Sequence, residues 1–423
     1  MKIQSIKGVK DILPGEVEKW RWVENTAHNV FSRYGFGEIR IPIFEYTNLF
    51  TRGIGETTDI VEKEMYTFKD RNGDKITLRP EGTASTVRSY IENKMYNPPG
   101  LVKLYYIGPM FRYERPQAGR FRQFYQIGVE AMDSAEPSLD AELIGMVMDF
   151  LGRLGLKGLE LQLNTLGCSK CRSAYRKILK GAIYDHLNGL CKNCQERYER
   201  NPLRVLDCKV EHDQIVAQGL PKTADHICDA CKNHFKDVIK FLESAKIPYI
   251  LNPNLVRGLD YYNRTAFEII SAGLGAQNAV CGGGRYDTLV EEFGGPSTPC
   301  FGFAIGFERL ISLIPPEKTD GLLQNPDIFV VSLGGAARTE SFKIIQKLRR
   351  EGIAAERTSE EGSMKSQMRK ANKAECRFVL IIGENEIESG EYVLKSMKDG
   401  SQSNISIGSA ITEIKNLLYT NTT

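Results

Sequence analysis

The sequence predicts an α+β protein: an antiparallel sheet core with a helical module inserted into it, followed by a smaller α/β domain. Three observations carry that reading. An amphipathic helix opens the chain and leads into strand-like runs. Between residues 167 and 246 the texture changes to Lys, Arg, Asn and Cys with helical periodicity. Beyond Pro315-Pro316 an alternation of strand and helix begins afresh. The expected domains are therefore 1–325, interrupted by the 167–246 insertion, and 326–423.

In chain order, Val17, Trp20, Val23, Ala27, Val30 and Phe31 recur at helical spacing between Gly15 and Arg33, and Gly35 and Gly37 end the pattern. Glu38 to Ile43 reads as a strand whose Pro42 cannot donate to a ladder, which suits a sheet edge or a subunit contact. Lys75 to Leu78, Leu104 to Ile107 and Phe121 to Glu130 read as strands separated by turns. Strand-like sequence returns from Tyr249 to Gly306 after the insertion. In the last domain, Asp327 to Leu333 is a buried strand, Glu340 to Arg350 a helix closed at Gly352, and Arg377 to Ile382 another strand.

A chain of 423 residues with 41% hydrophobic content is long enough for two or three cores. The formal net charge of +3 means that a nucleic-acid partner must be met by local basic patches. No apolar run approaches the ~20 residues that span a bilayer, and MKIQSIKGVKDILP lacks the apolar core of a signal peptide, so a cytoplasmic protein without membrane contact is expected. Ten cysteines are many for that compartment, and their clustering points to metal or free thiols before disulfides.

The densest chemical constellation is Phe111 to Phe124, where Arg112, Arg115, Arg120 and Arg122 converge on one hairpin with aromatic residues between them. Guanidinium forks there can grip a polyphosphate, and the loop through Gln117 and Gly119 can reach a nucleic-acid end. The alternative, a solvated basic loop, leaves the interleaved aromatics unexplained. Leu255 to Thr265 carries Arg257, Tyr261 and Tyr262, and is followed by Cys281-Gly282-Gly283-Gly284-Arg285-Tyr286-Asp287. Its glycines permit close approach of backbone to a ligand, or a plain bend between strands. Gly302 to Leu310 reads as a strand entering a helix, with Arg309 on its first turns, a placement useful for phosphate.

In order along the chain, these segments resemble the three signature motifs of class II aminoacyl-tRNA synthetases. Lys7 to Pro14, Leu78-Arg79-Pro80-Glu81-Gly82-Thr83 and Leu255 to Thr265 resemble the histidyl-tRNA synthetase family in particular. The resemblance implies a class II catalytic core, a C-terminal α/β anticodon-binding domain, and a homodimer built on the segment ending at Pro42. It implies activation of L-histidine with ATP and Mg2+, then transfer to the tRNA for histidine. Arg112 and Arg257 would flank the α-phosphate as the catalytic pair, with Glu114, Arg120 and Arg309 also holding ATP. Glu81, Thr83 and Gln126 would surround the α-ammonium, and Glu130 and Tyr262, with Tyr261 nearby, the imidazole. Arg115 and Gln117 would approach the tRNA acceptor end. Such buried hydrogen-bond partners reject analogues lacking them by ~10⁴ or more. Lys365, Arg369, Lys370 and Lys373 fit a phosphate-contacting face or a solvated helix equally.

Cys168-x2-Cys171 and Cys191-x2-Cys194, separated by nineteen residues, fit one structural zinc in the insertion. Cys208, Cys228, Cys231 and three nearby histidines leave reduced thiols or an iron–sulfur cluster open. Cys281, Cys300 and Cys376 read as small core residues. Three competing readings stand beside the synthetase. A synthetase-like regulatory subunit of ATP phosphoribosyltransferase would lack the C-terminal domain and the full arginine set. A synthetase for another amino acid is opposed by Leu255 to Thr265, and a non-catalytic RNA-binding module leaves the arginine hairpin unexplained.

Overall fold

The computed structural model describes residues 3–55, 58–116, 119–274, 278–323 and 325–419, arranged in two compact units, Met1–Asp320 and Gly321–Thr423. No helix among the described residues is long and apolar enough to cross a membrane.

In the first unit the strands are β1 (Gly37–Glu38), β2 (Phe44–Tyr46), β3 (Thr67–Lys69), β4 (Lys75–Leu78), β5 (Val102–Phe111), β6 (Gln123–Met132), β7 (Leu159–Thr165), β8 (Ile250–Leu251), β9 (Asn263–Ser271), β10 (Ala279–Arg285) and β11 (Cys300–Gly306). The main sheet runs β1-β5-β6-β11-β10-β9-β7-β8, antiparallel throughout except for the two short edge strands β1 and β8. A second, small sheet is ordered β2-β4-β3.

Successive residues of a strand face opposite sides, so the register shows how the two faces divide. One row across the sheet is Tyr105, Val129, Phe303, Gly283, Phe267 and Leu163. Apart from Gly283 these residues join the main hydrophobic core with Trp20, Val23 and Phe31 of the helix Val17–Arg33 and Leu143, Val147 and Phe150 of the helix Pro137–Arg153. The neighbouring row on the opposite face is Tyr106, Gly128, Ala304, Gly282, Glu268 and Gln162. Small residues at its centre, flanked by Tyr106 and Glu268, make a trough. One face buries apolar area against these helices; on the other this row stays open, while Met132, Ala266 and Cys300 farther along the same strands pack in a second core with Tyr175 and Leu179 of the insertion.

The strand expected over Glu38 to Ile43 stops at Glu38; Ile39 still donates to the Tyr105 carbonyl, but Pro42 lies outside any ladder. Arg79 occupies the place of those lost ladder bonds, donating to the carbonyls of Ile41 (2.5 Å), Pro42 (3.2 Å) and Pro109 (2.8 Å). The insertion folds as helices Ser169–Tyr184, Lys192–Arg200, Glu211–Gly219 and Asp229–Ser244. Its last helix is not separate from the core: Val238 and Leu242 pack into the main cluster beside the helix Pro137–Arg153.

The second unit contains β12 (Ile328–Ser332), β13 (Ala355–Arg357), β14 (Phe378–Ile382), β15 (Glu391–Ser396) and β16 (Gln402–Ser406), ordered β13-β12-β14-β15-β16. The first three neighbours are parallel and the last two pairings antiparallel. Ile344, Ile345 and Leu348 of the helix Gly335–Arg350 fill the core against Ile328, Val330 and Leu380, and Gly352, at φ +81°, terminates that helix.

Candidate active site

The open face of the main sheet carries a cavity of about 350 Å³. Four arginines, Arg112, Arg120, Arg257 and Arg309, and four glutamates, Glu81, Glu114, Glu268 and Glu308, line it. Thr83, Gln126, Tyr261, Tyr262, Tyr106, Cys281 and Gly282 complete the part of the wall that bears on the chemistry. Two of the glutamates, Glu114 and Glu268, pair with arginines of the wall.

Each arginine is oriented by a named partner. Arg112 donates through Nε to the Pro80 carbonyl (2.8 Å) and lies over the Phe124 ring. Arg120 pairs with Glu114 at 3.1 Å, and Arg309 donates through Nη1 to the Ala279 carbonyl at 3.1 Å. Arg257 pairs with Glu268 and lies over the Tyr262 ring, 5.4 Å from its centroid. Among the described residues its Nε is buried without a hydrogen-bond partner, and so is Oε1 of Gln126. A buried donor and a buried acceptor left unsatisfied on one cavity wall are groups that a bound ligand would complete.

Glu81 sits at the N-terminus of the helix Thr83–Glu92, its carboxylate accepting from the amides of Thr83 (2.7 Å) and Ala84 (2.9 Å). Burial raises its pKa against those amides. Glu130 does not line the cavity. It lies one side chain behind, accepting from the Thr83 hydroxyl (2.7 Å), from Tyr106 (3.4 Å) and from Tyr286. Burial pushes its carboxyl up to about 8, although the hydroxyls of Tyr286 and Thr83 pull the other way. Burial also carries Glu308 up to about 7, and its carboxylate accepts from the Tyr125 amide. Arg115 is exposed on the loop between β5 and β6, and Gln117 lies outside the described residues.

Sequence reasoning missed Tyr106, Tyr286, Glu268 and Glu308. For two of them the signal is register: Tyr106 lies opposite Gly128 and Glu268 opposite Gly282. The arginine of the glycine-rich segment turns out to be architectural. Arg285 is fully buried and binds Asp140 at 2.8 Å, Asp287 at 3.2 Å and the carbonyls of Ser134 and Glu136.

The model of the family described as histidyl-tRNA synthetase matches residues 8–310. The histidine–tRNA ligase of Desulforamulus reducens is 52% identical over 412 residues, covering 97% of this chain and 98% of its own length. This chain belongs to the histidyl-tRNA synthetase family. A second family model, the anticodon binding domain, matches residues 327–417. The apo histidyl-tRNA synthetase of S. aureus superposes with a TM-score of 0.83 at 38% identity, covering 98% of this chain and 100% of that one. A Bacillus halodurans protein described as an ATP phosphoribosyltransferase regulatory subunit/histidyl-tRNA synthetase has a TM-score of 0.66 at 20% identity, over 90% of this chain and 99% of that one. That likeness shows the shared fold.

The expected grouping of Cys168, Cys171, Cys191 and Cys194 about one ion does not survive in this member of the histidyl-tRNA synthetase family. Cys168 and Cys171 gather with Cys228 and Cys231, whereas Cys191 and Cys194 gather with Cys208 and Asp213. The reason is helical: each Cys-x2-Cys opens a helix of its own, and the chain brings the pair at 228–231, rather than the nearer pair, back to the first. Cys281, Cys300 and Cys376 are buried, but Cys281 also reaches the cavity wall.

Proposed function

We infer that the chain is a histidine–tRNA ligase. It activates L-histidine with ATP to histidyl-adenylate and pyrophosphate, then transfers histidine to the 3′ end of its tRNA. The observation that carries the residue assignment is a cavity wall on which Gln126 Oε1 and Arg257 Nε have no hydrogen-bond partner among the described residues, beside four oriented arginines.

In this reading the carboxylate of histidine is the nucleophile, so no protein base is needed. Glu81, Thr83 and Gln126 receive the α-ammonium, the Gln126 carbonyl gaining its missing donor. Arg112 and Arg257 stand on two sides of the α-phosphate and neutralise the charge on its non-bridging oxygens as phosphorus becomes pentacovalent, without reorganising at the moment of reaction. Glu114, Arg120 and Arg309 hold the rest of ATP. Tyr262, with Tyr261 beside it, faces the imidazole, and Glu130 serves the same end of the site through Thr83 and Tyr106 or by receiving the ring directly. Glu114 and Glu268, two of the wall's carboxylates, would hold the magnesium that accompanies ATP, which would neutralise phosphate charge there.

Arg115 and Gln117 are assigned to the acceptor end of tRNA, and the second unit to its anticodon. The homodimer reading is supported by an apolar surface around the small sheet, where Ile43, Phe44, Tyr46 and Phe68 are all exposed. The chain is placed in the cytoplasm, and a zinc ion in its insertion is structural rather than catalytic.

The deciding experiment is ATP–pyrophosphate exchange with each amino acid in turn, followed by charging of tRNA. Exchange with histidine alone supports the reading. Folded protein that exchanges with no amino acid overturns it in favour of a regulatory paralogue.

A further inference from the structure

The insertion contains two gatherings of metal-ligating side chains that the charging reaction does not use. In the first, Cys168 and Cys228 are the N-caps of the helices Ser169–Tyr184 and Asp229–Ser244, and Cys171 and Cys231 lie on the first turns of those helices. The two knuckles clasp each other reciprocally. The Cys168 amide donates to Cys231 Sγ at 3.2 Å, and the Cys228 amide donates to Cys171 Sγ at 3.1 Å. Gly167, at φ +66°, precedes the first knuckle, and a Cβ there would lie 2.6 Å from the Cys171 Cβ. In the second, Cys191 is the N-cap of the helix Lys192–Arg200, and its amide donates to both oxygens of Asp213, at 3.2 and 3.3 Å. The Cys208 thiol also points at Asp213 (3.2 Å), whose side chain is fully buried.

We propose that the insertion holds two structural zinc ions in different donor sets: a tetrathiolate of Cys168, Cys171, Cys228 and Cys231, and a site of three thiolates and one carboxylate from Cys191, Cys194, Cys208 and Asp213. This sharpens the structural-zinc reading above and does not depend on the charging activity. Within each group the ligand atoms all lie within 4.8 Å of one another. A tetrahedron with Zn–S bonds of about 2.3 Å has S···S edges of about 3.8 Å. The separations here are 3.6 Å for Cys168–Cys171 and 3.9 Å for Cys191–Cys208, close to that edge and far from the ~2.05 Å of a disulfide. Amides donating to the sulfurs, with helix N-termini behind them, offset the negative charge that four thiolates bring to one ion.

The sites differ in what they hold. The tetrathiolate ties the first helix of the insertion to its last, and Arg172, on that first helix, donates to the carbonyls of Asp260 (2.5 Å) and Tyr262 (3.2 Å). The second site borders a cavity that Arg120, Glu268 and Arg309 also line.

The test is metal content of full-length protein purified without chelator, for the wild type, Cys171→Ser and Cys194→Ser. About two zinc per chain in the wild type and about one in each variant is the expected result. Zinc at or below one per chain in the wild type, or iron with labile sulfide, overturns the proposal. Full zinc retention in Cys194→Ser overturns the second site, and in Cys171→Ser the first. If a variant fails to fold, cobalt titration of zinc-depleted wild type decides: two equivalents giving tetrahedral thiolate spectra support the proposal, and saturation at one overturns it. Zinc content is read whether or not the protein charges histidine, so failure here and failure of the ligase reading are distinguishable.

Discussion

Two basic regions of the molecule present similar side chains in opposite circumstances. In the cavity of the first unit each arginine is fixed by a glutamate or a carbonyl and lies partly buried. On the helix Met364–Lys373 of the second unit, Lys365, Arg369, Lys370 and Lys373 are all exposed, and the ion pair from Lys370 to Glu360 spans 4.0 Å. The first arrangement holds guanidinium charge in fixed positions, as the proposed reaction at phosphate requires. The second leaves charge mobile in salt solution, where it adds affinity without geometry.

The largest effect expected from this contrast is in the cavity. Arg257→Ala should lower the turnover of histidine-dependent exchange by about 10²–10³-fold, as loss of a pre-organised donor does. A loss below about tenfold would remove the distinction between the two regions.

Next in size is Glu130→Gln, which should raise the KM for histidine by roughly 10–100-fold if its carboxyl receives the imidazole. Free histidine loses its ring proton near about 6.5, and Glu130 holds its own up to about 8. Between those values the pair enters the complex sharing one proton. Below them a proton must leave, and above them one must be taken up, so KM should pass through a minimum in that window. The alkaline limb should vanish in the variant. A wild-type profile flat above about 8 would reduce Glu130 to a support for Thr83 and Tyr106.

The same carboxyl makes stability depend on pH. Its folded pKa is raised from 4.5 to about 8, so the native state binds the proton more tightly than the unfolded chain. That contribution is fully present below the unfolded value and is lost as pH rises through the folded one. The Tm of the wild type should fall relative to Glu130→Gln between about pH 4.5 and about 8.

A smaller shift is expected for Tyr286→Phe, which removes one hydroxyl from Glu130. Histidine KM should rise about fivefold, and the alkaline limb should move upward. Smallest of all, Lys370→Ala should weaken tRNA binding by about two- to threefold, reduce the salt slope by about one, and leave exchange untouched. An effect on exchange would show that the second region reaches the chemistry.

The alternation in β5, β6 and β11 is plain in the sequence because each of these strands has one apolar face, and the arginine hairpin is visible because aromatic residues interrupt it. What stayed hidden was set by long-range partners. The hydroxyl that Tyr286, far along the chain, brings to Glu130 has no local signal, nor does the burial of Arg285 against Asp140. The cysteine pairs were misgrouped for the same reason: spacing ranks near pairs first, while helix packing selected the pair at 228–231. Pro42 hid the end of β1, because a residue unable to donate marks an edge without marking where pairing stops.

The glycines beneath the cavity bear on attempts to redesign it. A Cβ at Gly82 or Gly128 would strike the Tyr106 ring, at Gly282 the Arg257 guanidinium, and at Gly302 the Glu130 carboxylate. None of these four positions can be enlarged without displacing a side chain that the site depends on, and none can be made smaller. A laboratory search for variants accepting a bulkier or differently shaped amino acid therefore has little freedom in the floor, where Ala304 is the other small residue of the row. Productive variation must come from the rim, at Thr83, Gln126, Tyr261 and Tyr262, and a library restricted to those positions samples the reachable specificities with far fewer dead clones.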